Sequence, residues 1–482
     1  MACLIGAPAS GSGKTLLSLS LIAWARSRGQ SLQPFKVGPD YLDPQLLGTA
    51  AGLPCRNLDL PLCGETWVRN SFHGHGGRTE LCLVEGVMGL FDGIGPTSDG
   101  SSAAIARLLK LPVVLVVDAG GQAQSLAALV RGFQLHEPTV ELAGVVLNRV
   151  NTPRHRQLMR EVLDGIGVPL LGCLPRTIDL ELPIRHLGLA PAHELDAFCQ
   201  RLDIWASLAD NHLQMDALQP LLLAPRLGPD PVQEHLNQQP LQRSSSPLPV
   251  AVASDQAFHF RYPEMQDWLD ALKMPVLSWQ PLSDEPLPND ACGLILPGGF
   301  PELHAAELSQ CQRSLSSLRG WFGQRPIYAE CGGMLLLGQS LTDATGQSHA
   351  MAGILPFHAK KGQLQVGYRQ LKAVHNGLLL RNGEALTGHE FHRWELSTDT
   401  PTTESVGKLQ SLWQVEGWQV PRRREGWNHP TLHASWVHLH WGGCWTISCR
   451  WRAAVEAAMA KSEGASSPVK NRGSIRSTNV GD

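Results

Sequence analysis

The chain has 482 residues, 43% of them hydrophobic and 17% charged, with a formal net charge of −3. Such a length exceeds one core and predicts roughly two to four domains. The near-neutral charge offers no basic field for nucleic acid and no charged block for a membrane surface. Eleven scattered cysteines, none with zinc-site spacing, fit reduced thiols in a cytoplasmic protein. The opening MACLIGAP has no basic segment and runs straight into a motif, so a signal peptide is not expected. The longest apolar run, Leu111–Val117, falls far short of the roughly 20 residues that span a bilayer.

Taken in chain order, apolar runs at Ala2–Ile5, Leu32–Val37, Glu80–Val84, Val113–Val117 and Leu142–Leu147 predict strands. Helix-length segments separate them, a β-α-β rhythm that predicts a mostly parallel sheet. After the first strand comes Gly6-Ala-Pro-Ala-Ser-Gly-Ser-Gly-Lys-Thr15, followed by a helical stretch. Amides of Gly11, Ser12 and Gly13 in such a loop cradle phosphate oxygens. Lys14 adds a point charge, and the Thr15 hydroxyl is a Mg²⁺ ligand candidate. The strict phosphate-loop pattern has glycine where this chain has Pro8, but the GSGKT core is intact.

Two acidic segments follow strands, Lys36-Val-Gly-Pro-Asp-Tyr-Leu-Asp-Pro44 and Val84-Glu-Gly-Val-Met-Gly-Leu-Phe-Asp-Gly93. Ligands bind at the carboxyl ends of parallel strands, which puts Asp40 and Glu85 on the edge that carries the loop. Either acid alone reads as a helix cap or loop residue. Beside GSGKT the pair reads as hard oxygen ligands for Mg²⁺ bridging phosphates. Asn148, at the end of a later strand, is a candidate for an adenine edge or for a turn.

Between Leu223 and Pro249 the composition turns to Pro, Gln and Ser with no apolar period, which reads as a linker. A second α/β pattern follows, with strands expected at Val250–Ala253, Val276–Trp279, Gly293–Leu296 and Ile327–Ala329. The end of the chain is polar and is expected to be disordered. Eight of the fourteen tryptophans lie beyond residue 390 and read as packing rather than ligand stacking.

Ile327-Tyr-Ala-Glu-Cys-Gly-Gly333 predicts a strand, a tight turn and a helix. A cysteine on that elbow is exposed, and the helix N-terminus favours its thiolate. The amide of Gly332, with that of Gly298 or Gly299 from the LPGG segment, is a candidate oxyanion site. A thiol nucleophile needs a base, and two clusters compete: His389-Glu-Phe-His392 and Ala434-Ser-Trp-Val-His-Leu-His-Trp441. Alternation in the second predicts a strand with His438 and His440 on one face.

In order along the chain, GAPASGSGKT, FKVGPDYLDP, VEGVMGLFDG, LPGGFPELHA, IYAECGGMLLLG, GHEFH and ASWVHLHW resemble the cobyrinate a,c-diamide synthase family of cobalamin biosynthesis, over roughly residues 1–455. The resemblance implies two three-layer α/β domains. The first is a P-loop NTPase-type sheet, dethiobiotin-synthetase-like (1–223). After a linker (224–247) comes a flavodoxin-like class I glutamine amidotransferase domain (248–458), then a disordered tail (459–482). It implies a cytoplasmic ligase that uses ATP with Mg²⁺ and L-glutamine to amidate a corrinoid carboxylate, without nucleic acid or membrane, and it leaves a homodimer open.

Residue by residue, the resemblance implies Lys14 and Thr15 on phosphate and metal, and Asp40 and Glu85 as metal-linked acids. It implies Lys36, Tyr41, Leu42, Asp43 and Asp92 near the corrinoid, Cys331 as glutaminase nucleophile and His438 as its base. The His-x-Glu that completes the triad in many class I amidotransferases is missing, as in related cobalamin-pathway amidases, so His438 is expected to act without a carboxylate partner. The segment from Thr398 to Arg424 reads as a loop insertion. The alternatives are the same chemistry on hydrogenobyrinate or a nickel sirohydrochlorin, and a P-loop ATPase switch fused to an inactive amidotransferase-like module.

Overall fold

A computed structural model describes residues 2–176, 184–185, 188–189, 198–238, 246–397 and 409–466. The first half is a seven-stranded parallel sheet with strands β1 (Cys3–Gly6), β2 (Leu32–Val37), β3 (Arg56–Leu58), β4 (Leu81–Glu85), β5 (Val113–Asp118), β6 (Leu142–Asn148) and β7 (Leu170–Leu174). Their order is β3-β2-β4-β1-β5-β6-β7. The run Val113-Val-Leu-Val-Val117 is apolar at every position because helices cover both faces of the sheet, and all five residues are buried. Chain connections diverge on either side of β1, which makes the end of β1 the switch point where ligands bind.

The second half builds on a parallel core in which Val276–Trp279, Val250–Ala253, Gly293–Leu296, Ile327–Glu330 and Leu432–Ser435 lie side by side. It continues through antiparallel strands Val420–His429, Gln410–Gly417 and His358–Ala373, the last pairing with Ala385–Ser397. The strands expected from sequence match these within a residue or two.

Three expectations change. The segment read as a linker contains a helix, Pro231–Gln238, whose Val232 and Leu236 are buried in a cluster with Trp67 and Trp268; residues 239–245 lie outside the described residues. Two residues at i and i+4 suffice to seat a short helix when other segments supply the hydrophobic wall. Of the expected loop insertion, 398–408 lies outside the described residues, and the rest is a hairpin, Gln410–Gly417 and Val420–His429. The final helix, Trp445–Ser466, runs past residue 459, and 467–482 lie outside the described residues. Among the late tryptophans, Trp394, Trp413, Trp436, Trp441 and Trp451 are buried, whereas Trp418 at the hairpin tip is 57% exposed.

The halves meet over a close interface. Helix α1 (Lys14–Ser27) follows the phosphate loop, α2 (Leu42–Ala51) follows β2, and α3 (Leu60–Gly76) follows β3. Asp59 caps α3 by accepting the Leu62 N–H at 2.8 Å, and its other oxygen accepts the Tyr368 hydroxyl of the second half, also at 2.8 Å. Arg56 reaches both oxygens of Asp267 and lies 3.8 Å from Glu264. A β-carbon on Gly443 would sit 1.7 Å from the Leu62 carbonyl oxygen, so only glycine permits this approach.

Candidate active site

The phosphate loop turns through Gly11 and Gly13 at φ 80° and 113°, left-handed values that favour glycine. A β-carbon on Gly13 would lie 2.5 Å from the Asn148 amide nitrogen. That amide donates to the Ser12 carbonyl at 3.0 Å, and the Asn148 oxygen accepts the Arg149 N–H at 2.9 Å. Asn148 therefore braces the loop. Lys14 Nζ donates to the Met88 carbonyl at 2.6 Å. Burial, aided by Lys36, lowers its pKa to about 8 despite nearby carboxylates.

Lys36 is the hub of the acidic segments. Its ammonium contacts Asp43 at 2.5 Å, Glu85 at 2.7 Å and Asp40 at 3.7 Å. Burial opposes its charge, but the three carboxylates outweigh burial and hold it protonated. Burial and the like charge of Asp43 raise Asp40 to about 7, whereas Lys36 overcomes burial to lower Asp43. Thr15 donates its hydroxyl to Glu85 Oε1 at 3.1 Å, and Glu85 Oε2 is buried with no hydrogen-bond partner among the described residues. An orphaned carboxylate oxygen beside a threonine hydroxyl and a phosphate loop is a donor set that fits Mg²⁺. Asp92 instead folds back on its own loop and accepts the Gly89 N–H at 2.9 Å. Leu42 is 7% exposed, with its N–H donating to Asp40.

Tyr41 leaves this loop in the other direction. Its ring stacks on Phe260 with centroids 5.2 Å apart, lies 4.4 Å from Tyr262, and meets the His438 ring at 5.1 Å. A cavity of about 520 Å³ between the halves is lined by Asp40, Tyr41, Gln45, Asn57 and Arg261 among others.

Cys331 sits at φ 46° and ψ −111°, at the junction of Ile327–Glu330 and the short helix Gly332–Leu335. A non-glycine residue held there stores about 1–3 kcal/mol of strain, and its N–H donates to the Ser435 carbonyl at 2.7 Å. Glycines let the turn close: a β-carbon on Gly332 would lie 2.9 Å from the Gly299 nitrogen, one on Gly299 2.1 Å from the Ala257 oxygen, and one on Gly298 2.6 Å from His438 Cε1. The backbones expected to supply the oxyanion amides are thus adjacent, with the imidazole edge against them.

Of the competing histidines, His438 is the one whose ring edge lies against the Gly298 backbone beside the Cys331 turn, and Cys331 favours its charge; the thiol itself approaches the Phe391 carbonyl at 3.8 Å. His440 lies 3.4 Å from Glu264 and 4.6 Å from the Tyr262 ring centroid, at the interface. His389 exchanges backbone hydrogen bonds with His438, and His392 stacks on Trp436 at 3.8 Å. The strand expected through both histidines ends at Ser435, and the exchange with His389 holds the continuation. His438 also has an acid: Glu330 Oε2 lies 3.2 Å from its Nδ1. This corrects the expectation of an imidazole without a carboxylate. The acid comes not from a His-x-Glu but from the residue before the nucleophile. Burial alone would depress the imidazole; Cys331 and Glu330 outweigh it and raise its pKa to about 10.

A nucleotide-type loop at a switch point and a Cys-His pair on a strand elbow define a P-loop protein joined to a glutamine amidotransferase. Family models agree. Residues 4–189 match the CobQ/CobB/MinD/ParA nucleotide binding domain, and 249–444 match the CobB/CobQ-like glutamine amidotransferase domain. The chain is 40% identical to the cobyrinate a,c-diamide synthase of Synechocystis sp., covering 96% of this chain and 95% of the relative. It is 40% identical to that of Gloeobacter violaceus, covering 98% and 100%. It is 41% identical to the hydrogenobyrinate a,c-diamide synthase of Rhodobacter capsulatus, covering 80% and 88%. The chain belongs to the cobyrinate a,c-diamide synthase family of glutamine-dependent ligases.

Proposed function

We propose that the chain amidates the a- and c-side-chain carboxylates of cobyrinate, using ATP and glutamine. One observation carries the reading: the turn from Asp40 into α2, which bears Asp43, presses Tyr41 against His438, so the carboxylate-activating groups and the glutaminase base stand one ring apart. An isolated ATPase switch would not need a strained cysteine with a paired imidazole, which argues against an inactive second module. Hydrogenobyrinate is the alternative substrate, since relatives that act on it are equally similar. The chemistry fits the cytoplasm, where thiols stay reduced.

A carboxylate is a poor acceptor for ammonia. Attack of a carboxylate oxygen on the γ-phosphorus of ATP gives an acyl phosphate and ADP. Lys14 and the loop amides offset charge on the transferred group. Mg²⁺, held by Thr15 and Glu85 with Asp40 nearby, would neutralise phosphate charge when bound. Lys36 and Asp43 set the field around the carboxylate.

In the second half, the Cys331 proton passes to His438 Nε2 and the thiolate attacks the glutamine side-chain amide. The C–S bond forms while the carbonyl electrons move to oxygen, within reach of the Gly332 and Gly298 or Gly299 amides. His438 returns the proton to nitrogen as the C–N bond breaks, releasing ammonia. Water then cleaves the thioester to glutamate and restores the thiol. Ammonia displaces phosphate from the acyl phosphate and leaves a carboxamide.

The test incubates the protein with cobyrinic acid, MgATP and amide-labelled glutamine and follows the corrinoid by mass spectrometry. Two successive mass shifts, one labelled amide each, are expected. No shift with cobyrinic acid but two with hydrogenobyrinic acid would assign the cobalt-free substrate, and none with either would reject the reading.

A further inference from the structure

We propose that Glu330 is the positioning residue of the glutaminase site: its carboxylate fixes the His438 ring so that Nε2 faces Cys331, completing a triad whose acid is the chain neighbour of the nucleophile. This rests on the glutaminase reading above and adds the group that orients the base.

The geometry is specific. Glu330 is 2% exposed, and Oε2 accepts from His438 Nδ1 at 3.2 Å. Its other oxygen accepts the Leu439 N–H at 3.0 Å and the Tyr328 hydroxyl. Both oxygens are thus engaged, and the Leu439 contact clamps the segment carrying His438. Side chains alternate along a strand, so Tyr328 and Glu330 share one face. The nucleophile follows on the sharp turn at Cys331, which lets consecutive residues reach the same imidazole from two sides.

With Nδ1–H committed to a carboxylate, the tautomer leaves Nε2 free to take the thiol proton, and the carboxylate stabilises the imidazolium that results. Among the described residues, His389, Cys444 and three tyrosines near the pair are each pushed toward the neutral form. Burial, then His438, lowers His389 to about 3. Burial pushes Cys444 and the Tyr41, Tyr262 and Tyr328 hydroxyls upward. The charge balance around His438 therefore lies with Cys331 and Glu330.

The test compares Glu330→Gln with wild type by glutaminase kinetics and by the pH dependence of Cys331 alkylation with iodoacetamide. Glu330→Gln is expected to lower glutaminase kcat about 100-fold with little change in KM. It is also expected to move the alkylation midpoint up by about one pH unit, because the imidazolium that faces the thiolate loses the carboxylate that stabilises its charge. Tyr328→Phe, which removes only the other contact, is expected to leave the alkylation midpoint unmoved. An unmoved alkylation profile with near-wild-type kcat in Glu330→Gln would overturn the assignment. If Glu330→Gln fails to fold, seen as loss of ammonia-dependent amidation too, wild-type protein decides. A strongly downfield proton resonance that vanishes in His438→Asn supports the bond, and its absence from wild type overturns it. Glutaminase activity surviving in Cys331→Ala would instead reject the underlying reading.

Discussion

The phosphate end and the cysteine end of this protein handle charge in opposite ways. At the phosphate end, one buried lysine answers three carboxylates, and Glu85 keeps an oxygen without a hydrogen-bond partner among the described residues. At the cysteine end, His438 sits 3.2 Å from Glu330, the residue before Cys331, and both of that acid's oxygens are engaged. On the proposed reading, phosphate and a cation would complete the first site, and the second would be organised before glutamine arrives. The difference teaches where substrate control belongs, since the preorganised half is restrained only by what packs on it.

The strongest way to break the comparison is Cys331→Ala. It is expected to lower glutamine-dependent amidation by about a thousandfold or more while ammonia-dependent amidation persists. Equal loss of both activities, in a paired assay with glutamine and with ammonium chloride, would mean that the halves do not divide the labour. Next, Glu85→Gln removes the orphan-bearing carboxylate and is expected to slow ATP-dependent amidation about 100-fold, with glutamine hydrolysis surviving. Unchanged turnover would reject its place beside the phosphates.

Smaller effects sharpen the picture of the interface. Arg56→Leu leaves Glu264 and Asp267 without their cation, and should cost about 3 kcal/mol of stability in denaturant unfolding. Acid should act in the same direction through groups held below the ordinary carboxylate range. Burial opposes ionisation of Glu264, but His440 and Arg56 prevail and lower it to about 2; His392 and Arg423 likewise overcome burial and lower Glu390. Because the folded values lie below the unfolded ones, this stability is present at neutral pH and is lost as pH falls below about 4.5. Urea titrations at stepped pH should show a fall of about 1.4 kcal/mol per pH unit for each such group, starting below that pH.

Much of the frame was legible because it is local. GSGKT needs only a strand, a loop and a helix in a row, and several parallel strands are short, mostly apolar runs such as Val113–Val117. Cys331 was legible from its elbow and glycines. Glu330 was not, because beside a cysteine it reads as the end of a strand, and its partner His438 lies 108 residues away. His440 was a candidate from strand alternation and Asn148 from its place at a strand end; the tertiary contacts that set His440 beside Glu264 and Asn148 on the Ser12 carbonyl are not legible in sequence. The helix Pro231–Gln238 escaped because its buried face is two residues wide and Trp67 and Trp268 complete it.

The ring of Tyr41 has one further consequence. It belongs by chain to the acidic loop after β2, but by position it is a wall beside His438, the proposed glutaminase base. A second half cut free at residue 248 would keep its cysteine, imidazole and carboxylate and lose that wall, leaving His438 open to water on the side where Tyr41 rests. On the proposed reading, the glutaminase would be a shared chamber rather than a self-contained module.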